Sequence, residues 1–157
     1  MLLWLYVLVW RIHSMKVSFE NSVKKKVLDR ITRLRNEVIL RRDLEGTGEY
    51  RQVSRALNKL IAQKKLVKIG SWIYAKAYLS KYSDFPLIRC GTHIALRKAL
   101  DRINVRYEPG SAEQAYNNAG KSTQIPAKNM VKLKSRCRRK LYYGNSQLFY
   151  ENNINAK

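Results

Sequence analysis

From Tyr50 to Gln63 the apolar residues recur at helical intervals. Val53, Ala56, Leu57, Leu60 and Ile61 stand at i, i+3, i+4, i+7 and i+8, which places them on one stripe of an α-helix. The opposite arc carries Arg51, Ser54, Arg55 and Asn58, with Gln52 and Lys59 at its flanks. A helix of this kind must bury one face and show the other to water or to a partner. Immediately after it, Leu66-Val67-Lys68-Ile69, Gly70-Ser71 and Trp72-Ile73-Tyr74-Ala75 spell a strand, a two-residue turn and a second strand. Upstream, Val23, Val27, Ile31, Leu34 and Val38 predict a first helix, with Asn21 or Ser22 as its N-cap. Val38-Ile39-Leu40 is also a short β-prone run, and Arg41 to Glu45 reads as a single helical turn ended by Gly46-Thr47-Gly48. Helix, short strand, short helix, glycine turn, amphipathic helix and hairpin follow the order of a winged helix-turn-helix. A small α+β domain that binds protein, or nothing, is the alternative.

The polar arc has a chemistry to match. Arginine forks onto guanine, and asparagine or glutamine onto adenine, so Arg51, Gln52, Ser54, Arg55 and Asn58 are the candidate base readers. The chain holds 32 Lys/Arg against 11 Asp/Glu, a formal net charge of +21, while 45% of its residues are hydrophobic. That hydrophobic fraction supports a packed core, so disorder is not the default. A globular chain that repels itself this strongly is best matched to a polyanion, and nucleic acid leads. The charge is spread over the chain: residues 1–76 carry 17 Lys/Arg against 6 Asp/Glu, and residues 77–157 carry 15 against 5. Candidate phosphate or wing contacts in the first half are Lys24, Lys25, Arg42, Lys59, Lys68 and Ser71. For Lys24-Lys25-Lys26 a solvated helix face is the leading reading and phosphate contact the alternative.

The second half reads as a small basic α+β domain over residues 92–157, joined to a 15–77 winged-helix domain by a 78–91 linker containing Asp84-Phe85-Pro86. Thr92 caps a predicted helix through Ile103 on the stripe Ala95, Leu96, Ala99, Leu100 and Ile103, and Gly110-Ser111 opens another toward Asn118. The period then changes to two. Between Val131 and Leu141, Lys132, Lys134, Arg136, Arg138 and Lys140 fall on one face of a predicted strand, and Val131, Leu133, Cys137 and Leu141 on the other. Tyr143-Gly144-Asn145-Ser146 turns this strand back to Leu148-Phe149-Tyr150 as an antiparallel hairpin. No acid appears between Gln114 and Tyr150, so the cationic face is expected to track phosphates, with a solvated outer sheet face as the alternative.

Catalytic and metal patterns are weak. Gly120-Lys121-Ser122 ends like a P-loop, but Ala115 stands where the earlier glycine belongs. No glutamate is followed two residues on by lysine, which removes a common nuclease signature. Cys90-Gly-Thr-His93 with a distant Cys137 falls short of a zinc pattern, and two cysteines outside a C-x-x-C pair suit a reducing cytosol. No enzyme activity, metal or cofactor is expected, and the expected location is the cytoplasm. Met1 to Trp10 is an unbroken apolar run, shorter than the ~20 residues of a spanning helix. Residues 1–14 are therefore expected to be a start-site extension or a disordered segment, with Met15 as the working start; a peripheral anchor and an ordered extension are the alternatives.

Three blocks also carry a resemblance: Arg42-Asp43-Leu44, the run Tyr50 to Leu60, and the run Leu66 to Lys76 resemble the N-terminal winged helix of the AbiEi-like antitoxins. The run Ala115 to Lys128 resembles the start of the second domain of those proteins, so the likeness spans roughly Lys16 to Glu151 in the family order. It implies a short member of a type IV toxin–antitoxin (abortive-infection) system that represses its own operon on double-stranded operator DNA. Its cognate partner would be a nucleotidyltransferase-like toxin, and no membrane partner is implied. The wing tip departs from the family pattern, with Gly70-Ser71-Trp72 in place of a second glycine. The alternatives are a basic RNA- or ribosome-associated protein, and an antitoxin that binds protein without reading DNA sequence.

Overall fold

The computed structural model describes residues 22–82, 84–118 and 128–151. The chain is a mixed α+β protein organised around a short antiparallel sheet. Residues 22–33 form helix α1, with Val23, Val27 and Ile31 buried. The helix stops there, so Val38 leaves the expected helical stripe and opens strand β1, Val38–Leu40. A single 3-10 turn over Arg41–Leu44 follows, then α2 (Tyr50–Ala62), β2 (Leu66–Gly70) and β3 (Ile73–Leu79). The sheet order is β1-β3-β2, antiparallel throughout, with Val38 opposite Ala75 and Val67 opposite the same residue from the other side.

Successive side chains of a strand point to opposite faces, and here both faces are apolar. Ile39, Leu66 and Tyr74 face a cluster built from Val23, Val27 and Ile31 of α1, Leu44, and Val53, Ala56, Leu57 and Leu60 of α2. Val38, Leu40, Val67, Ile69, Ile73 and Ala75 face a second cluster, to which α3 (Thr92–Arg102) contributes Ala95, Leu96, Ala99 and Leu100. Val131, Leu141 and Leu148 complete that second cluster. A strand buried on both sides reads as a continuous apolar run, which explains Val38-Ile39-Leu40.

The second half thus packs on the back of the sheet made by the first half. The boundary expected at 78–91 does not separate two cores. That stretch contains strand β4 (Pro86–Ile88), which pairs antiparallel with the end of β3, Tyr78 opposite Leu87, and it buries Ile88. Strand β3 runs on to Leu79, past the expected end of the first domain, and its last residues supply the edge on which β4 pairs.

The predicted strand over Val131–Leu141 is also corrected. Strand β6 covers Met130–Leu133, pairs antiparallel with β5 (Tyr107–Pro109) and runs parallel to β9 (Phe149–Glu151). Between Lys134 and Leu141 the chain leaves the ladder. Tyr142–Tyr143 (β7) and Ser146–Gln147 (β8) form a small hairpin around Gly144 at φ 56°, as the turn residues predict. The returning run Phe149–Glu151 pairs with β6 in parallel, so the expected antiparallel basic hairpin is absent. The physical cause is Leu141, which is fully buried behind the β2–β3 hairpin. A Cβ on Gly70 would stand 2.8 Å from Leu141 Cδ2, so Leu141 reaches this seat only over a glycine. The α4 helix, Ser111–Asn117, lies against β6, and its first amide and hydroxyl donate to the Glu151 carboxylate at 2.8–3.1 Å.

One ion pair fastens the two halves, and a second fastens α3 to α4 within the second half. The Asp43 carboxylate accepts the Leu40 amide at 2.7 Å, closing the 3-10 turn, and also takes the Arg102 guanidinium from the end of α3. Arg42 Nη2 donates in return to the Arg102 carbonyl at 2.7 Å, an exposed C-terminal acceptor of α3 that favours a cation. Arg97 forms a two-pronged pair with Glu113 of α4 and donates through Nε to Asn129 Oδ1 at 3.1 Å. At Asp43 and Arg102 the side chains are 14% and 26% exposed, well below the surface regime in which ion pairs contribute little. Asp43→Ala is expected to lower unfolding free energy by about 2 kcal/mol, between exposed and buried pairs. Asp43→Asn should cost less, because its amide oxygen still accepts the Leu40 amide; urea denaturation of the two variants checks the order.

The hydrogen bonds from Arg97 hold the Glu113 carboxyl below its ordinary value of 4.5. Because the folded value is the lower one, the pair's contribution is fully present above pH 4.5 and is lost as pH falls through the depressed value. Glu113→Gln should therefore flatten the acid limb of the stability profile below that pH and leave its neutral and alkaline parts parallel to the parent's, as thermal melts across pH would show.

Candidate nucleic-acid interface

The structure presents the polar arc of α2 as expected, with Arg51, Arg55 and Asn58 exposed along the outer face and Gln52 and Ser54 half-buried. These last two have local duties. The Glu49 amide at the helix start donates to Gln52 Oε1 at 3.2 Å, and the Ser54 hydroxyl donates to the Tyr50 carbonyl at 2.9 Å, one turn back. Gln52 thereby satisfies an amide at the helix entrance, and Ser54 spends its proton on its own helix. The outward stripe is Arg51, Arg55 and Asn58, at i, i+4 and i+7.

The β2–β3 hairpin stands against the start of this helix. Gly70 pairs with Ile73, so Ser71 and Trp72 make a two-residue turn, in which Trp72 adopts φ 63°. Trp72 is 47% exposed, and its ring meets that of Tyr50, a residue 59% exposed, edge to face with centroids 5.8 Å apart. Arg41 joins the two: its amide donates to the Trp72 carbonyl at 3.0 Å, its Nη2 donates to the Tyr50 carbonyl at 2.9 Å, and its guanidinium lies 5.0 Å from the Tyr50 ring centre. One residue therefore fixes the turn tip relative to α2. Sequence reasoning had not singled out Arg41, Tyr50 or Trp72. The sequence pattern places the turn at Gly70-Ser71 and Trp72 at the start of the strand; the pairing of Gly70 with Ile73 moves the turn one residue on and puts Trp72 in it.

The basic stretch of the second half reaches the same hairpin. Arg139 Nη1 donates to the Ser71 carbonyl at 3.4 Å, and the Lys140 carbonyl lies 3.4 Å from a Cβ built on Gly70. Tyr150 holds the stretch from behind, its hydroxyl donating to the Arg139 carbonyl at 2.6 Å. Burial raises the Tyr150 phenol well above its ordinary range, so it remains a donor through any physiological pH. Arg136, Arg138 and Lys140 are exposed here.

The other two cations of the expected series differ. Lys132 stands between Glu108 of β5 and Glu151 of β9 in the ladder, and Lys134 forms an ion pair with Glu108. The five cations thus do not share one unbalanced strand face, because neighbouring strands supply the acids that the local sequence lacks. Arg42 is likewise committed to the Arg102 carbonyl. Lys68 is exposed on the α2 side of the sheet, opposite Tyr74; Lys25 is exposed on α1, Lys24 half-buried, and Lys59 exposed near the end of α2. The expectations for residues 1–14 and for most of the run 115–128 lie outside the described residues. Among the described residues no group of three or more His, Cys, Asp or Glu is placed to hold a metal ion, and no helix is long and apolar enough to cross a membrane.

No family model, curated protein or solved structure matches this chain.

The division of labour on α2 is measurable without any ligand. Gln52→Ala should lower stability in urea by about 0.5–1 kcal/mol through the lost N-terminal cap. Arg51→Ala, on the outward stripe, should stay within about 0.5 kcal/mol of the parent.

Proposed function

We propose that this protein is a winged helix-turn-helix DNA-binding repressor, acting on its own operon as an antitoxin-like protein of a type IV toxin–antitoxin system. The observation that carries the DNA reading is the outward stripe Arg51, Arg55 and Asn58 on a helix whose start is pinned to a hairpin tip by Arg41. A helix presenting arginine and asparagine at successive turns suits the major groove, where those side chains distinguish guanine and adenine. The β1-β3-β2 order and the two-residue hairpin turn agree with a winged arrangement. Arg136, Arg138 and Lys140 extend the basic surface beyond the hairpin and supply sequence-independent phosphate contacts. The antitoxin part of the proposal rests on the resemblance of the runs 42–44, 50–60 and 66–76 to that family.

A protein partner has its own support. Tyr78, Leu79, Tyr82, Phe85 and Leu87 are exposed within ten residues of one another around β3 and β4, more apolar surface than isolated exposed residues explain. A nucleotidyltransferase-like toxin is the partner the resemblance implies.

Titration of duplexes from the region upstream of the gene, at several salt concentrations, tests the DNA reading. Affinity should fall steeply with salt as neutralised phosphates release counterions. Arg51→Ala and Arg55→Ala should each cost about 1–3 kcal/mol at the preferred duplex and relax base preference. Arg138→Ala should weaken all duplexes alike, and Lys132→Ala, between two acids, should change little. An affinity that is flat with salt, or a preference for RNA over every duplex, overturns the reading.

A further inference from the structure

The geometry points to Trp72 as a wedge that stacks into a base step of duplex DNA beside the step read by α2, an inference that rests on the DNA-binding reading above. Three observations converge on it. Trp72 holds φ 63°, a backbone region that glycine occupies without cost and that a bulky side chain rarely adopts. A turn needing only to reverse the chain would be more stable with glycine there, so the strain calls for a function of the ring. That ring is not in either core cluster and leaves 47% of the residue exposed.

It is nonetheless held in place. The Arg41 amide fixes the Trp72 carbonyl at 3.0 Å, and Tyr50 meets the indole edge to face. Tyr50 also opens α2, so the wedge and the reading residue Arg51 are tied to the same turn of helix. Arg41 on one side and Arg139, bonded to the neighbouring Ser71 carbonyl, on the other flank the tip with positive charge. An apolar side chain framed by cations is the combination by which proteins unstack a base step while holding the adjoining phosphates. Arg41 is a positioning residue in this scheme, since its donors are directed at protein carbonyls.

The test uses the full chain and duplexes from the region upstream of its gene, carrying 2-aminopurine at successive positions, whose fluorescence rises on unstacking. Wild-type protein should raise the signal at one or two adjacent positions. Trp72→Gly, which suits the backbone and should melt at or above the wild-type temperature, should abolish the rise and weaken binding about tenfold or more. Trp72→Phe should retain part of both effects. If Trp72→Gly binds as tightly as wild type, or the rise persists without the indole, or wild type binds with no rise at any position, the wedge is refuted while DNA binding stands. If wild type binds no duplex at all, the DNA reading itself falls and the wedge with it.

Discussion

The β1–β3–β2 sheet is apolar on both of its faces, and burying both is the constraint from which the rest of the arrangement follows. Ile39, Leu66 and Tyr74 need α1 and α2 on one side; Val38, Val67, Ile69, Ile73 and Ala75 need α3, Leu141 and Leu148 on the other. Left uncovered, the second face would expose a contiguous patch of Val and Ile at a cost of about 1.5–3 kcal/mol for each fully exposed side chain. The second half of the chain is therefore a structural requirement of the first. Its basic segment reaches the β2–β3 hairpin because Leu141 must reach the sheet.

Charge is arranged around that requirement. A chain of net +21 has few acids, and several of them are committed to holding elements together. Asp43 closes a turn and takes Arg102, Glu113 takes Arg97, Glu108 takes Lys134, and Glu151 caps α4. Acids used in this way neutralise Arg97, Arg102 and Lys134, while Arg51, Arg136, Arg138 and Lys140 are exposed. In the β5–β6–β9 sheet, by contrast, cations and acids alternate across the ladder.

The hairpin tip joins structure to proposed function. Gly70 is bare because Leu141 and the Lys140 carbonyl occupy the space of its side chain, and Trp72 is strained and exposed two residues later. Arg41 reaches both the tip and the helix from the turn that precedes α2. The candidate surface is therefore tied together by bonds to backbone carbonyls at the hairpin tip and at the start of α2.

Local pattern was enough for much of this. The stripe of α2, the existence of a two-residue turn near Gly70 (though placed one residue early), the helix of Ala95 to Leu100 and the Gly144 turn are readable, because each depends on the spacing of residues within one element. The outward positions of Arg51, Arg55 and Asn58 were legible for the same reason. What neighbours in space decide was not: that β4 lies in the expected linker, that β6 stops at Leu133 and pairs with β9 in parallel, that Glu108 and Glu151 balance Lys132 and Lys134, and that Gln52 and Arg42 hold protein atoms. Burial of a second sheet face, ladder partners and ion pairs are contacts between residues dozens of positions apart. Periodicity records which face of an element is apolar, but only packing determines what covers it, and here the cover is the other half of the chain.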